Sequence, residues 1–226
     1  MIVAIDGTVC SGKSTIAKRL AKALGFTHIN TGAIYRAMTV ACIRVFGKDM
    51  DVESLTDDII KIVKPLDIDE SFDADGGFKI TLNGEDITGE INLPYVSHQV
   101  SHVAKIPEIR EMCKIIQKRI ASCKNCVIEG RDIGTVVFPN AEVKFYMSAD
   151  DIVRAKRRMK DYEEKGENYP IEEVLKEIRA RDEEDMNRAI SPLKPADDAI
   201  IIDNSGDDPD EMVDYLKRIV LSVNKE

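Results

Sequence analysis

The stretch GTVCSGKST, residues 7–15, decides how the rest of the chain is interpreted. It fits the pattern G-x-x-x-x-G-K-[ST], a loop whose backbone N–H groups surround the phosphates of a nucleoside triphosphate. The apolar run MIVAID precedes it, and apolar residues four apart, Ile16, Leu20 and Leu24, follow it. A buried strand, a glycine loop and a helix in this order predict a P-loop nucleotide-binding fold.

Each residue type in this loop, called the phosphate loop below, has a chemical use. Glycine lets the backbone amides turn inward, and the helix that follows presents its positive end to the same anion. Lys13 is predicted to reach the β- and γ-phosphates, and the hydroxyl of Ser14 to ligate Mg²⁺. We therefore expect ATP to be bound by all nine loop residues, Gly7, Thr8, Val9, Cys10, Ser11, Gly12, Lys13, Ser14 and Thr15.

Outward from the loop, short apolar segments alternate with helical ones. Strands are predicted at MIVAID, FTHIN, CVIEG, VKFYMS and AIIID, the last as a buried strand. Linkers of helical length exclude tight hairpins here, so the pattern predicts an α/β chain with a five-stranded parallel sheet covered by helices. Ligands of such sheets gather at the carboxyl ends of the strands. The phosphate loop lies at such an end.

Capping and turn residues set the limits of several elements. Gly25 is expected to end the first helix, Thr31 to cap the second and Gly47 to end it. In residues 66–88, Phe78, Ile80 and Leu82 alternate with polar residues, Asn83-Gly84 is a hairpin signal and Asp75-Gly76-Gly77 marks a turn. This stretch predicts a small antiparallel β meander inserted into the alternating chain.

Composition narrows the class of protein. The 226 residues carry a formal net charge of −9, which argues against a protein that coats nucleic acid or an anionic membrane. No apolar run approaches the length of a membrane span, and no basic leader precedes MIVAID. Five cysteines without framework spacing are typical of reduced thiols. We expect a soluble, cytoplasmic protein without a nucleic-acid or membrane partner.

Arginines indicate what ATP is used for. Transfer of a phosphoryl group to a phosphate acceptor joins two polyanions, and guanidinium groups bind phosphate oxygens in pairs. Arg36 follows the second strand, and Arg131 with Asp132 follows CVIEG directly. Two further sets share helix faces: Arg154, Arg157 and Arg158, and Arg181, Asp185 and Arg188. Several lack an acid at the i+4 position, so we favour an anion partner over solvated charged faces.

Other patterns are weaker. Cys123 and Cys126 form a C-x-x-C pair without a second pair to complete a zinc site. His98 and His102 are four apart on a helix but lack a third ligand. Ordinary structural cysteines and histidines remain the preferred interpretation. No N-K-x-D stretch is present, which argues against a guanine-specific switch protein.

In these motifs the chain resembles the bacterial cytidylate kinases, a branch of the P-loop nucleoside monophosphate kinases. The resemblance covers essentially the whole length. Its most specific part is GRDIGTVVFP followed by RD, D, NRA and PL in EIRARDEEDMNRAISPL. The other segments that carry it are AIDG with SGKST, TGAIYRA, LNGEDITGEI, VSHQVSHVAKIPEIRE, RAKRRM and DDAIIID.

The resemblance implies phosphorylation of CMP and dCMP by ATP with Mg²⁺, in a monomer. By analogy, Ser101, Arg110 and Asp132 bind the cytosine, and Arg181 with Asp185 binds the sugar. The acceptor phosphate is assigned to Arg36, Arg131 and Arg188, with Thr31 beside the acceptor. A lid within residues 153–190 carries Arg154, Arg157 and Arg158 over ATP. The catalytic set is Lys13, Arg131, Arg157, Arg158 and Arg188.

The resemblance also implies a domain organisation, and the chain departs from the family's usual residues at three places. The core domain is expected at 1–62 and 104–226, with a monophosphate-binding insertion at 63–103. Thr8-Val9-Cys10 stands where the family usually has Pro-Ala-Gly, so Cys10 adds bulk beside the phosphates. Asn30 replaces a usual aspartate, and Glu129 a common aspartate near the Mg²⁺ region.

Two alternatives stay open at this stage. A related P-loop kinase could phosphorylate another small molecule, such as shikimate or dephospho-coenzyme A, but such kinases lack the LNGED insertion and the GRDIGTVVFP strand. A non-catalytic ATP-binding module would bind nucleotide without releasing ADP. Only turnover separates this second alternative from a kinase.

Overall fold

The structure is a computed structural model that describes residues 1–72, 78–122, 125–164, 166–206 and 208–223. Its strands are β1 (Ile2–Gly7), β2 (Thr27–Asn30), β3 (Ile68–Phe72), β4 (Phe78–Leu82), β5 (Glu85–Asp86), β6 (Cys126–Gly130), β7 (Val143–Ser148) and β8 (Ile200–Asp203). Its helices are α1 (Lys13–Leu24), α2 (Thr31–Phe46), α3 (Thr56–Val63), α4 (Pro94–Val103), α5 (Pro107–Ala121), α6 (Asp151–Glu163), α7 (Ile171–Asn187) and α8 (Pro209–Val223). Short 3-10 and π-helical turns span Glu90–Asn92 and Ile133–Val137.

The described chain forms two compact units. The first contains Met1–His28 and Cys123–Glu226, and the second contains Ile29–Ser122. Both predicted ends of the insertion, 63 and 103, fall inside the second unit. The insertion and the lid therefore stay predictions about function and motion.

The predicted five-stranded sheet is confirmed. Its strand order is β2-β6-β1-β7-β8, and parallel ladders join β1 to β6, β1 to β7, and β7 to β8. Parallel neighbours need crossover connections, and the linkers after β1, β2 and β7 contain helices, whereas the linker between β6 and β7 has only the π-helical turn Ile133–Val137. The ladders leave the carboxyl ends of β1, β6 and β7 side by side.

One apolar core holds the first unit together. Val3 and Ile5 of β1, Phe145 and Met147 of β7, and Leu216 of α8 are all buried in it. Helix α1 packs against α8, and Gly25 ends α1 as predicted, in a left-handed conformation. The phosphate loop is thus anchored at both ends, by a central strand before it and a packed helix after it.

Two sequence predictions about strands are wrong. AIIID was predicted to be buried, but β8 is an edge strand in which Ile201 is exposed and Ile202 is buried. A strand at the edge of a sheet has a neighbouring strand on one side only, and both Ile200 and Ile201 stay exposed there, which the composition of the run does not reveal. GRDIGTVVFP is not a strand either, because β6 ends at Gly130 and the chain turns into the π-helical segment Ile133–Val137.

The second unit contains the predicted meander. Strands β3, β4 and β5 form an antiparallel sheet in that order. Asn83 and Gly84 both have positive φ, 51° and 82°, as a type I′ hairpin turn requires. The predicted turn at 75–77 lies outside the described residues.

The helices of the second unit differ from the predictions in one cap and in one additional helix. Helix α2 is capped by Asn30, whose side chain accepts a hydrogen bond from Ala33 N, and Thr31 is its first residue. The cap prediction placed on Thr31 is therefore wrong by one position. Helix α3 was not predicted, because only Ile59 and Val63 give its eight residues a buried face.

In the part of the chain that the structure describes, no helix is long and apolar enough to cross a membrane. Cys126 begins β6 and is buried, whereas Cys123 of the C-x-x-C pair lies outside the described residues.

Candidate functional site

Two glycines allow the shape of the phosphate loop. At Gly7 a Cβ atom would lie 1.8 Å from the carbonyl oxygen of Met147, and φ is 150°. At Gly12 a Cβ atom would lie 2.5 Å from Nδ2 of Asn204, and φ is 89°. Another residue at Gly7 would collide with the backbone of β7, and one at Gly12 would collide with the side chain of Asn204. Close approach and positive φ together explain both glycine positions of the motif.

Lys13 lies inside the loop and is buried. Its Nζ donates to the carbonyl oxygen of Thr8 and lies 3.3 Å from Oγ of Ser11. Burial, and after it the charge of Arg131, lowers the pKa of Lys13 to about 7. The ammonium group is thus poorly stabilised by the protein alone, and a phosphate would supply the negative charge that it lacks.

Side chains outside the loop hold its backbone. Oδ1 of Asp182 accepts from Val9 N at 2.9 Å, and Nη1 of Arg154 donates to Val9 O at 3.1 Å. Ser11 O accepts from Nδ2 of Asn204 at 2.8 Å and from Nη1 of Arg157 at 3.2 Å. These contacts come from α6, α7 and the turn after β8.

No role was predicted for Asp182 or Asn204. The one signal for Asn204 is its place directly after the last strand, at the carboxyl end where ligands gather. Asp182 belongs to the RD pair that carries the family resemblance, but it stands among other carboxylates in an acidic helix, and its sequence position did not indicate what it contacts.

A hydroxyl and a carboxylate meet at the start of α1. Oγ of Ser14 donates to Oε2 of Glu129 at 2.6 Å, and Nε2 of His28 lies 3.1 Å from Oε1 of the same carboxylate. Glu129 is the next-to-last residue of β6 and is buried. The structure therefore brings the predicted Mg²⁺ ligand Ser14 next to Glu129.

The strand-end arginine is paired with a carboxylate of α7. Nε of Arg131 donates to Oδ2 of Asp185 at 2.8 Å, and Nη1 of Arg188 lies 3.4 Å from Oδ1. Burial raises the pKa of Asp185, but the charges of Arg131 and then Arg181 outweigh it and hold the pKa below its usual range. Arg188 follows the last residue of α7, so it does not share the helix face predicted for it. Four predicted site residues nevertheless lie in one cluster.

A second buried carboxylate lies at the end of β1. Asp6 accepts from the amides of Ile133 and Gly134 at 2.8 and 2.7 Å, which fixes the turn after Asp132. Burial raises the pKa of Asp6 to about 6, although both amides oppose the shift. Asp132 itself is buried. No role was predicted for Asp6, although it is the next-to-last residue of β1 and directly precedes the phosphate loop.

The helix arginines have more partners than their own helix supplies. Arg154 is buried and pairs with Asp151 and with Asp182 of α7. Arg158 pairs with Glu177 of α7 at 2.9 Å and lies over the ring of Tyr162. The inference from missing acids at i+4 is therefore wrong for Arg154 and Arg158, because Asp182 and Glu177 of α7 supply the acids.

The remaining predicted residues lie in the second unit. Nη1 of Arg36 donates to Ile91 O at 3.0 Å and to Oγ of Ser97 at 2.8 Å. Nη1 of Arg110 donates to Ala104 O at 3.2 Å, and its guanidinium lies over the ring of Tyr35. Ser101 is on α4, and Thr31 is buried at the start of α2.

Known proteins resemble this chain both in sequence and in fold. A sequence model described as Cytidylate kinase matches residues 3–222. The chain is 42% identical over 218 residues to the cytidylate kinase of Thermotoga maritima, covering 96% of each chain. It is 44% identical to that of Caldanaerobacter subterraneus subsp. tengcongensis, covering 94% of this chain and 91% of the relative. A crystal structure of an uncharacterized protein from Eubacterium ventriosum matches in fold, with a TM-score of 0.51, 15% identity and coverage of 98% and 99%.

Proposed function

The chain belongs to the cytidylate kinase family, and from this premise we propose that it transfers the γ-phosphoryl group of ATP to CMP and dCMP. The products are ADP with CDP or dCDP. The observation that supports this most is the cluster of Arg131, Asp185 and Arg188, which belongs to the same unit as the phosphate loop. A second set of guanidinium groups suits a second phosphate group, as a phosphoryl acceptor would supply.

The donor side uses the phosphate loop. Its amides bind the phosphates, and Lys13 leaves the carbonyl of Thr8 to neutralise charge on the β- and γ-oxygens. The acceptor oxygen of a nucleoside monophosphate is already anionic at neutral pH, so no strong general base is needed. Positioning and charge neutralisation then account for most of the rate enhancement.

Magnesium fits the oxygen atoms at the start of α1. The hydroxyl of Ser14 and the carboxylate of Glu129 are hard oxygen ligands, 2.6 Å apart, and Mg²⁺ usually takes one or two such ligands together with phosphates and water. When bound, the ion would offset negative charge on the transferred group. The protein holds Glu129 in place through His28.

The acceptor side is assigned unit by unit. In the first unit, Asp132 is proposed to accept from the cytosine amino group, Arg131 and Arg188 to bind the acceptor phosphate, and Asp185 with Arg181 to bind the sugar. In the second unit, Ser101 and Arg110 are proposed for the base, Arg36 for the phosphate, and Thr31 lies beside the acceptor. These assignments rest on the family resemblance.

Helices α6 and α7 are the proposed lid. Arg158 is the best candidate in this lid for contact with the transferred phosphoryl group. Among the described residues, its guanidinium pairs with the carboxylate of Glu177 and lies over the ring of Tyr162. Closure would exclude water from the transfer. We also propose a monomer that works in the cytoplasm.

The first experiment measures ADP release from ATP and Mg²⁺ with CMP, dCMP, UMP, AMP, GMP and shikimate offered separately. We expect release with CMP and dCMP far above release with the others. Release with shikimate or a purine nucleotide instead would replace the acceptor assignment. Bound ATP without release in any of the six reactions would support the binding-module alternative.

Asp132→Ala tests the base assignment. Loss of a charged hydrogen-bond acceptor should raise the KM for CMP by about 10- to 100-fold and relax the preference for CMP over UMP. The KM for ATP should stay within about twofold, since the loop is unchanged. An unaltered CMP to UMP ratio of kcat/KM would remove Asp132 from the base site.

A further inference from the structure

Both peptide groups of Val9 are held from outside the phosphate loop. Its N–H donates to Oδ1 of Asp182 at 2.9 Å, and its carbonyl accepts from Nη1 of Arg154 at 3.1 Å. Asp182 and Arg154 also pair with each other and are buried. One buried ion pair from two helices therefore determines how a single loop residue is oriented.

Planarity of the peptide bond carries this orientation to the next amide. In a trans peptide the C=O and the following N–H point in opposite directions. The Val9 carbonyl faces Arg154, so the N–H of Cys10 points away from Arg154. The peptide between Thr8 and Val9 has the opposite orientation. The N–H of Val9 faces Asp182, and the carbonyl of Thr8 accepts from Nζ of Lys13 inside the loop. The Cys10 amide therefore lies on the side of the loop that Lys13 occupies.

The same device recurs two residues later. The carbonyl of Ser11 accepts from Nδ2 of Asn204 at 2.8 Å and from Nη1 of Arg157 at 3.2 Å. The N–H of Gly12 shares that peptide plane and points away from both donors. Two peptide planes of the loop are thus set by side chains behind it, and both present amides on the opposite side.

Arg154 has little left to offer a nucleotide directly. Nη1 is shared between Val9 O and Asp182, and Nη2 donates to Oδ1 of Asp151 at 2.5 Å. Its charge is neutralised by two carboxylates, and the side chain is 5% exposed. A guanidinium in this state is suited to hold protein, whereas phosphate ligands need accessible N–H groups.

We propose that Arg154 and Asp182 are positioning residues that act on ATP through Val9, by fixing the peptide plane that aims the Cys10 amide at the phosphates. The proposal rests on the proposed use of the loop for ATP. It replaces the direct contact between Arg154 and ATP that the family resemblance implied. Preorganised backbone dipoles bind an anion without reorganisation, so loosening them should weaken nucleotide binding first.

The test removes both members of the pair together. Replacing only one would leave the other charge buried and alone, whereas two apolar residues of similar volume are often tolerated. In Arg154→Met with Asp182→Leu, we expect the Kd of MgATP, measured by calorimetry, to rise about tenfold or more. The Kd of CMP should stay within about twofold, because that ligand does not use the loop.

Arg179→Gln is the matched control. Arg179 is exposed, lies on α7 and pairs with Asp151, so its loss removes an ion pair between the same two helices without touching the loop. Its MgATP and CMP affinities should match wild type. Equal loss of MgATP affinity in this control would mean that the helix pair acts as a whole, which overturns the specific role of Arg154 and Asp182.

Amide resonances of the loop test the proposed orientation directly, because a general loss of stability would not affect the Cys10 amide alone. With ¹⁵N-labelled protein, MgADP should shift the Cys10 and Gly12 amide resonances in wild type, and the Cys10 shift should be lost in the double variant. If that variant does not fold, Arg154→Lys decides, since it keeps a charge beside Asp182 but removes the fork that reaches Val9 O. Unchanged MgATP affinity in a folded variant overturns the proposal. Wild type without MgATP affinity overturns the proposed function instead.

Discussion

The phosphate loop and the predicted acceptor residues of the second unit differ in which groups contact the ligand and which groups hold them in place. At the loop, backbone amides face the ligand side, and side chains such as Arg154 and Asn204 hold the backbone. In the second unit, the guanidinium groups of Arg36 and Arg110 are the proposed ligand contacts. There, backbone carbonyls of Ile91 and Ala104 hold the side chains.

The difference teaches where each kind of recognition belongs. Phosphate groups are common to all nucleotides, and backbone amides bind them whatever side chains the loop carries. A base or a single phosphate must be told apart from others, and only side chains offer donors and acceptors that differ between positions. Substitutions around the loop should therefore act indirectly, and substitutions at the acceptor residues directly.

Lys13→Ala should have the largest effect, because Lys13 is the one loop side chain proposed to neutralise charge on the transferred group. We expect kcat to fall on the order of 100- to 1,000-fold. A coupled assay of ADP release with saturating CMP measures it. Lys18→Ala, at an exposed position of α1, is the control and should retain wild-type kcat. Near-normal turnover in the Lys13 variant would refute the assignment of the loop.

Arg36→Ala tests the other half of the comparison. Removal of a guanidinium that binds the acceptor phosphate should raise the KM for CMP about 10- to 100-fold. The Kd of MgATP should not change, since this side chain contacts α4 and the turn before it within its own unit. Calorimetry with each ligand separates the two effects. A larger loss for MgATP than for CMP would break the division of roles.

The pH dependence of binding should also differ between the two ligands. The pKa of Lys13 is lowered to about 7 in the absence of nucleotide, and a phosphate raises it again. Above pH 7, ATP must therefore bind with uptake of a proton, and its affinity should fall by up to about tenfold per pH unit. Arginines stay charged, so CMP affinity should be flat from about pH 7.5 to about pH 9. Calorimetry in buffers of different ionisation enthalpy counts the protons.

Cys10→Gly should have the smallest effect, and on stability. Cys10 has φ of 55°, a left-handed conformation that costs a non-glycine residue roughly 1–2 kcal/mol, partly offset by the greater unfolded-state entropy of glycine. We expect a net gain of up to about 1 kcal/mol in the free energy of unfolding. Denaturant titration measures it. Cys10→Ser keeps the strain and should show no gain.

The hairpin of the second unit gives a matched comparison. Asn83 has a similar φ of 51°, but its Oδ1 accepts from Asp67 N at 2.9 Å. Asparagine also tolerates this conformation better than cysteine. Asn83→Gly should therefore give no gain. A stabilisation equal to that of Cys10→Gly would show that strain at Cys10 is not the cause.

Local patterns predicted most of the architecture. The phosphate loop, the five strands of the parallel sheet, the meander and the helices that follow β1 and β2 were predicted from periodicity, hairpin residues and caps within windows of a few residues. The resemblance to the cytidylate kinases is confirmed by the family match over residues 3–222. Some errors lie at element ends, where Asn30 caps in place of Thr31 and the chain after Gly130 forms a π-helical turn. Others concern tertiary position, since β8 lies at the sheet edge and is not buried as predicted.

Sequence by itself determined that this chain has a nucleotide loop on an α/β sheet and which arginines accompany it. Only the tertiary structure decided which partners those arginines have. Arg154 meets Asp182 across 28 residues and Val9 across 145, so no window of sequence shows that its Nη1 is engaged. A motif records the local backbone shape that a site needs, whereas the partners of a long charged side chain depend on which distant segments the fold brings within hydrogen-bond distance.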